Sequence, residues 1–315
     1  MRGGMGYQIT EVFNKSGIVQ IGESKHEAKA DARKAGAKTW ADMGKALAVY
    51  SYNTADTYKD TWHQFADYAK TELGLKDMEK TSAEHVQAFL ESRIAVGVAL
   101  ATFAKEAAAL GKLENALNLY SEKHERGNQY NFREAIRETI REARRELSKA
   151  DPHRAYRSPE RIIGSIEDAK HRITAQSQLE SGARIHEISL VKSRQLRGIS
   201  QERVTGEKCG RIEIQGKGGK IRELRVSQAT YEKISEIIKT EGDFSVDKNG
   251  YREDLRNACE SVGERYTGSH GLRWTYAQDR MESLQARGMS YEQSLREVSQ
   301  NLGHERPDIT EHYLR

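Results

Sequence analysis

The side chains with chemistry to offer cluster near the end of the chain, in Ser269-His270-Gly271-Leu272-Arg273, Leu302-Gly303-His304 and Thr310-Glu311-His312-Tyr313. They bring together a phenol, a guanidinium and imidazoles. A tyrosine is a poor nucleophile at pH 7, where roughly one phenol in a thousand is ionised. Fixed positive charge nearby favours the phenolate and stabilises the extra negative charge of a phosphorane-like transition state. This combination suits attack on a phosphodiester.

The elements that must position these groups can be read from local signals. Residues 270–286 predict a helix after Thr267-Gly268-Ser269, with Ser269 a candidate N-cap. His270 and Arg273 then share one face of its first turn, where free N–H groups and the helix dipole favour an anion. Both fall in the arc of Leu272, Tyr276, Ala277 and Leu284, which Arg280 also shares. Ser290 and Gln293 have capping-box spacing, Leu295, Val298 and Leu302 form a stripe, and Gly303 is a stop signal. His304 follows at once. Pro307 bars continuation, and Asp308-x-x-Glu311 predicts a last short helix bearing Tyr313, so His304 and Tyr313 flank one tight corner.

Upstream, Ser181-Gly182-Ala183-Arg184-Ile185-His186-Glu187-Ile188 places an arginine at a helix start, where its planar fork can engage two phosphate oxygens as a lysine could not. Glu187, one turn on, can orient that fork. Arg211–Gln215 and Lys220–Val226 alternate with period two around Gly216-Lys217-Gly218-Gly219, which predicts a β-hairpin. The stretch 227–266 reads as helices, with Asp243–Gly250 as a loop.

In this order and at these spacings, the residues resemble those of the tyrosine recombinases, the phage-integrase and Xer-like family. The matches are Gly182-Ala183-Arg184-x-x-Glu187, with Ala183 where a leucine is common, then His270-Gly-Leu-Arg273, Leu302-Gly303-His304, and Tyr313 nine positions after His304. The resemblance implies a site of Arg184, Lys217, His270, Arg273, His304 and Tyr313, supported by Glu187, with Lys220 the alternative to Lys217. It implies a 3′-phosphotyrosyl intermediate, no cofactor and no metal. Double-stranded DNA is the implied partner and a homotetramer the implied assembly, because recombination joins two duplexes. A type IB topoisomerase shares most of this set but usually has lysine where His270 stands. A DNA-binding module with an idle site is the other alternative, although every matched position is filled. His304, Asp308 and His312 have a metal-like i, i+4, i+8 spacing, but Pro307 breaks the helix that would align them. Relatives commonly continue past the nucleophile into a helix that docks on a neighbour. Here Leu314 and Arg315 follow, so the expectation is that subunits interlock through another element or that the chain is shortened.

The fold expected is mainly α with a small β-sheet: an all-helical N-terminal bundle and a mixed α/β catalytic domain. At 315 residues two domains are the natural prior. Residues 1–40 read as an N-terminal extension or a reduced arm-binding module, with Gln8–Phe13 and Gly17–Ile21 as a hairpin and a helix from His26 to Lys34. Residues 41–149 read as a helical core-binding domain, with stripes at Tyr58, Trp62, Phe65 and Ala69 and at Val86, Phe89, Leu90 and Ile94. The segment 133–147 alternates Arg and Glu, with Ile136, Ile140, Ala143 and Leu147 as its predicted seam. Arg141 and Arg145 are candidate phosphate contacts. Residues 150–159 form a proline-rich linker carrying Arg154 and Arg157, also candidate DNA contacts, and the catalytic domain spans 160–315. Net charge is only +4, so clustering matters more than the total. Cys209 and Cys259 form neither a disulfide framework nor a zinc site. With no apolar run of about 20 residues and no signal peptide, a cytoplasmic protein without a membrane partner is expected.

Overall fold

The computed structural model describes residues 1–149, 153–216, 221–304 and 306–314, and the backbone alone at Trp40 and Ala41. The chain divides into two compact units, Met1–Ala150 and Asp151–Arg315.

The first unit is helical: α1 (Met5–Lys15), α2 (Lys25–Lys34), α3 (Trp40–Ala46), α4 (Tyr52–Glu72), α5 (Ala83–Val96), α6 (Leu100–Lys123) and α7 (Arg133–Glu146). Its core gathers Trp62 and Phe65 of α4, Val86, Phe89 and Leu90 of α5, and Phe103, Leu110 and Leu113 of α6. The Trp62 indole donates to the Ala109 carbonyl at 2.7 Å, so its polar edge is satisfied inside.

Residues 8–13 are not a strand. They lie within α1, whose Met5, Ile9 and Val12 face the core at helical spacing and pack with α4. The buried Gln8 amide donates to the Gly3 and Lys76 carbonyls and accepts from the Met78 N–H. Lys76 and Met78 come from distant sequence, and their contacts override the local alternation. Val19 instead forms a single parallel bridge with Val49.

The seam expected for α7 holds at Ala143 and Leu147, which are buried, but not at its two isoleucines. Ala135, Thr139 and Ala143 are buried, while Ile136 and Ile140 are only partly covered and line an apolar groove. The small side chains let α7 lie close to α5.

The second unit holds α8 (Pro159–Gly164), α9 (Ala169–Ser181), α10 (Ile185–Ile188), β1 (Leu190–Lys192), β2 (Leu196–Gln201), β3 (Lys208–Gln215), β4 (Ile221–Ser227), α11 (Gln228–Glu241), β5 (Asp243–Ser245), α12 (Lys248–Ser261), α13 (His270–Ala286), α14 (Tyr291–Leu302) and α15 (Pro307–Glu311). The antiparallel sheet β2-β3-β4 pairs Ile212 with Leu224 and Ile214 with Arg222. Asp243–Ser245 is a strand rather than a loop, because Phe244 is buried opposite Val191 of β1. Cys209 and Cys259 are buried free thiols. Among the described residues, no helix is long and apolar enough to cross a membrane.

Candidate active site

The site grows from the ends of helices. α9 stops at Gly182, whose φ of +64° is left-handed and whose missing side chain is needed twice over. A Cβ there would lie 2.5 Å from Tyr276 and 2.6 Å from Leu302. This close approach brings the Gly182 carbonyl to the Arg273 guanidinium.

Arg184 is the N-cap of α10, and Glu187 folds back on it. One carboxylate oxygen of Glu187 accepts the Arg184 backbone N–H at 2.7 Å, and the other accepts its Nη1 at 2.9 Å. The Glu187 side chain has no exposed surface, whereas that of Arg184 keeps 21%. The fork is fixed from within and open on the outside. Burial pushes the Glu187 carboxyl up, but Arg222 and Arg184 outweigh it and hold it below the ordinary value.

Arg273 has no exposed surface at all. Its Nη1 donates to the Gly182 carbonyl at 2.5 Å, and its Nη2 donates to the Leu302 carbonyl at 2.7 Å. These carbonyls belong to the C-terminal ends of α9 and α14, so the cation sits at the negative ends of two helix dipoles. Nη2 also approaches His304 Nε2 at 3.0 Å. Burial, then Arg184, lowers the Arg273 pKa to about 10, which leaves it charged at neutral pH.

The capping box Ser290–Gln293 starts α14, and left-handed Gly303 ends it. His304 follows, with Nδ1 2.8 Å from the Thr310 hydroxyl, which is itself 2.8 Å from Ser299 Oγ; that atom lies 2.7 Å from the Leu295 carbonyl. Arginine only donates and a carbonyl only accepts. The proton positions in between follow: His304 accepts at Nε2 and donates from Nδ1 to Thr310, Thr310 donates to Ser299, and Ser299 donates to Leu295. Burial, then Arg273, Arg184 and Arg222, depresses His304 to about 3, in keeping with this neutral tautomer.

Tyr313 lies in a 3₁₀ turn, His312–Leu314, just beyond α15, and not in the helix itself. Arg306, not Asp308, precedes that helix, with Pro307 in its first turn. The Tyr313 ring is largely buried against Trp274 (centroids 5.0 Å apart) and His304 (5.3 Å), and its backbone carbonyl accepts from Gln278. Its hydroxyl is 2.8 Å from His270 Nε2. Burial, then Arg273, Arg154 and Arg184, lowers His270 to about 4. At neutral pH this imidazole is uncharged and its Nε2 can accept the phenolic proton.

Ser269 makes no side-chain cap at the start of α13; the linker does the fastening. Thr267 donates its hydroxyl to the Arg154 carbonyl and its N–H to the Tyr156 hydroxyl, which donates to the Gly268 carbonyl. The Arg154 guanidinium donates to the Thr267 carbonyl, and Arg157 is exposed with its backbone N–H on Glu264.

Thus Arg184, Glu187, His270, Arg273, His304 and Tyr313 meet in one place within the second unit. Lys217 and Lys220 lie outside the described residues. Arg141 and Arg145 are exposed on α7 of the first unit. His304, Asp308 and His312 do not converge: both His304 nitrogens face other partners, Asp308 pairs with Arg306, and His312 lies edge-on to Trp274. Among the described residues, no group of three His, Cys, Asp or Glu side chains could hold a metal. The sequence reading passed over Arg222, which donates to Glu187 at 2.7 Å. The signal was there: Arg222 shares strand parity with the buried Leu224 and Val226.

No family model and no curated protein sequence matches the chain. Its fold matches that of XerH site-specific recombinase bound to palindromic difH substrate in a post-cleavage complex, with TM-score 0.59 and 18% identity over 99% of this chain and 91% of that one. The pre-cleavage XerH complex gives TM-score 0.60 at 18% identity, covering 99% and 92%. The Tn1549 transposon integrase in complex with transposon right end DNA gives TM-score 0.52 at 13% identity, covering 92% and 94%. The fold is that of the tyrosine recombinases.

Proposed function

We propose that this chain is a tyrosine-type site-specific recombinase that cuts and rejoins double-stranded DNA through a 3′-phosphotyrosyl link. The observation that carries this reading is the Tyr313 hydroxyl on the neutral His270 Nε2, with Arg184 and Arg273 gathered in the same site. The DNA complexes formed by structures of the same fold support it.

The phenolic oxygen attacks phosphorus in line, forming a Tyr313 O–P bond and breaking the bond to the 5′ oxygen. The phenolic proton passes to His270. Arg184 and Arg273 neutralise the non-bridging oxygens, and His304, once it takes up a proton at Nε2, donates to one of them. Lys217, assigned by resemblance, gives the departing 5′ oxygen its proton. A 5′ hydroxyl from a partner strand then attacks the phosphotyrosyl ester and gives its proton to Lys217, while the Tyr313 oxygen leaves and takes its proton back from His270. The ester conserves the energy of the broken bond, so rejoining needs no nucleotide. Exchange between two duplexes calls for a tetramer on DNA, and integration or excision of a mobile element is the role we assign.

The test uses a library of nicked duplexes with randomised sequence around the nick, incubated with protein in EDTA. Wild type should accumulate a denaturation-resistant protein–DNA adduct whose linked peptide contains Tyr313, and Tyr313→Phe should form none. Adduct formation by Tyr313→Phe, or linkage through another residue, would overturn the reading.

A further inference from the structure

We propose that Arg222 is a positioning residue, which holds the Arg184 fork and the His304 corner in one geometry by bridging the Glu187 carboxylate and the Asn301 carbonyl. The inference deepens the recombinase reading and rests on it for its kinetic consequence.

Three observations carry it. First, strand alternation turns Arg222 inward with Leu224 and Val226, while neighbouring Ile221 is exposed. A cation on the buried face of a strand must find partners there or destabilise it. Second, those partners belong to the site. Arg222 Nη2 donates to Glu187 at 2.7 Å and Nη1 to the Asn301 carbonyl at 2.5 Å. Glu187 thus holds two guanidinium groups, Arg184 on one oxygen and Arg222 on the other. The Asn301 and Leu302 carbonyls, consecutive at the end of α14, accept from Arg222 and Arg273 respectively. Two arginines therefore cap the helix that delivers His304. Third, the fit is close. A Cβ on Gly303 would sit 3.0 Å from both Arg222 Cδ and Nε, so the glycine before His304 makes room for this side chain, which is only 12% exposed.

The planar fork spans two acceptors at fixed separation, which a lysine cannot do. Without it, Glu187 would be free to turn, Arg184 would lose its fixed plane, and the last turn of α14 would lose a cap beside His304. Arg222 is also the leading influence holding the Glu187 carboxyl ionised against burial. Among the described residues, the other charged or titratable groups that act on Glu187 include Arg184 and His186 of its own segment and His270 of α13. None of these replaces the lost contact, so removing Arg222 raises the pH at which Glu187 ionises.

Arg222→Gln and Arg222→Lys are compared with wild type in full-length protein, with folding checked by circular dichroism. On the nicked duplex recovered with wild type, single-turnover adduct formation should slow by about 10²-fold in Arg222→Gln and by at least about tenfold in Arg222→Lys, because small misplacements of a positioned group are costly. Affinity for the same duplex should change far less. Carbon-13 spectra of glutamate-labelled protein without DNA, with Glu187 assigned through Glu187→Gln, should show its ionisation midpoint displaced upward in Arg222→Gln. Rates within about twofold of wild type in either variant, or an unmoved Glu187 midpoint, overturn the inference. If Arg222→Gln does not fold, Arg222→Lys decides both readouts. If wild type forms no adduct, the recombinase reading fails, and the DNA-free titration alone decides whether Arg222 governs Glu187.

Discussion

The two units differ in how they take charge inside. In the first, Trp62, Phe65, Phe103 and Leu110 fill an apolar interior, Glu106 and Glu114 are buried singly against Arg93 and Arg133, and the arginines of α7 after Arg133 stand exposed. In the second, Arg273, Glu187 and most of Arg222 are taken inside, with Glu187 and the outer nitrogens of both arginines paired and the two arginine Nε atoms buried without a partner among the described residues. An apolar interior stabilises in proportion to area removed from water. A buried ionic cluster contributes little net stability, because desolvation offsets most of the attraction. The first unit's interior is therefore organised for holding together, and the second unit's for holding a particular charge pattern in place.

That contrast can be broken most sharply in the first core. Trp62→Ala should cost about 3–5 kcal/mol in chemical denaturation, as large-to-small core changes do, while adduct chemistry per folded molecule stays near wild type. The converse holds for Arg184→Ala. Adduct formation should fall by roughly 10²–10³-fold, or about 2.7–4 kcal/mol of transition-state stabilisation, with a smaller shift in melting temperature than Trp62→Ala produces. An Arg184→Ala protein that melts as early as Trp62→Ala would remove the distinction.

A smaller effect comes from pH. His270 and His304 titrate at about 4 and about 3 in the folded chain, below the ordinary value of about 6.5. Between those limits the unfolded chain binds more protons than the folded one, so stability falls as pH falls through the window. Solvent screening at these partly exposed rings keeps the loss on the order of 1 kcal/mol. Melting temperature from pH 7 to 4 should show the slope, and His270→Asn/His304→Asn should flatten it. Smallest of all in stability are Arg141→Ala and Arg145→Ala, within about 0.5 kcal/mol as surface changes usually are. If these side chains meet phosphates, each substitution should lower the slope of log affinity against log salt by about 0.9.

What the sequence disclosed tracks how local the cause was. The His304 corner was legible because Ser290, Gln293, Gly303 and Pro307 fix it within a few residues. Arg273 was legible because a cation inside an apolar arc needs a reason, and here the reason is two helix ends. α1 eludes a local reading because β-branched residues mimic a strand there, whereas its helical face is set by α4 and by the distant Lys76 carbonyl and Met78 N–H that engage Gln8. The β1–β5 pair eluded the reading because its two short strands lie more than fifty residues apart and each signals little alone. In α7 the seam was legible at Ala143 and Leu147, but hydrophobicity points to Ile136 and Ile140 where the packing buries the smaller Ala135 and Thr139.

The run of hydrogen bonds from Arg273 through His304 and Thr310 to Ser299 and Leu295 has a built-in direction, and that direction sets a proton inventory. Every hydrogen points away from Arg273, so His304 offers a lone pair where an incoming phosphate would also offer lone pairs. An anion that draws Arg273 Nη2 toward itself leaves two acceptors facing one another, a repulsion relieved when His304 takes up a proton. DNA engagement should therefore consume hydrogen ions at neutral pH. Calorimetry in buffers of different ionisation enthalpy would count them, and His304→Asn should reduce the count.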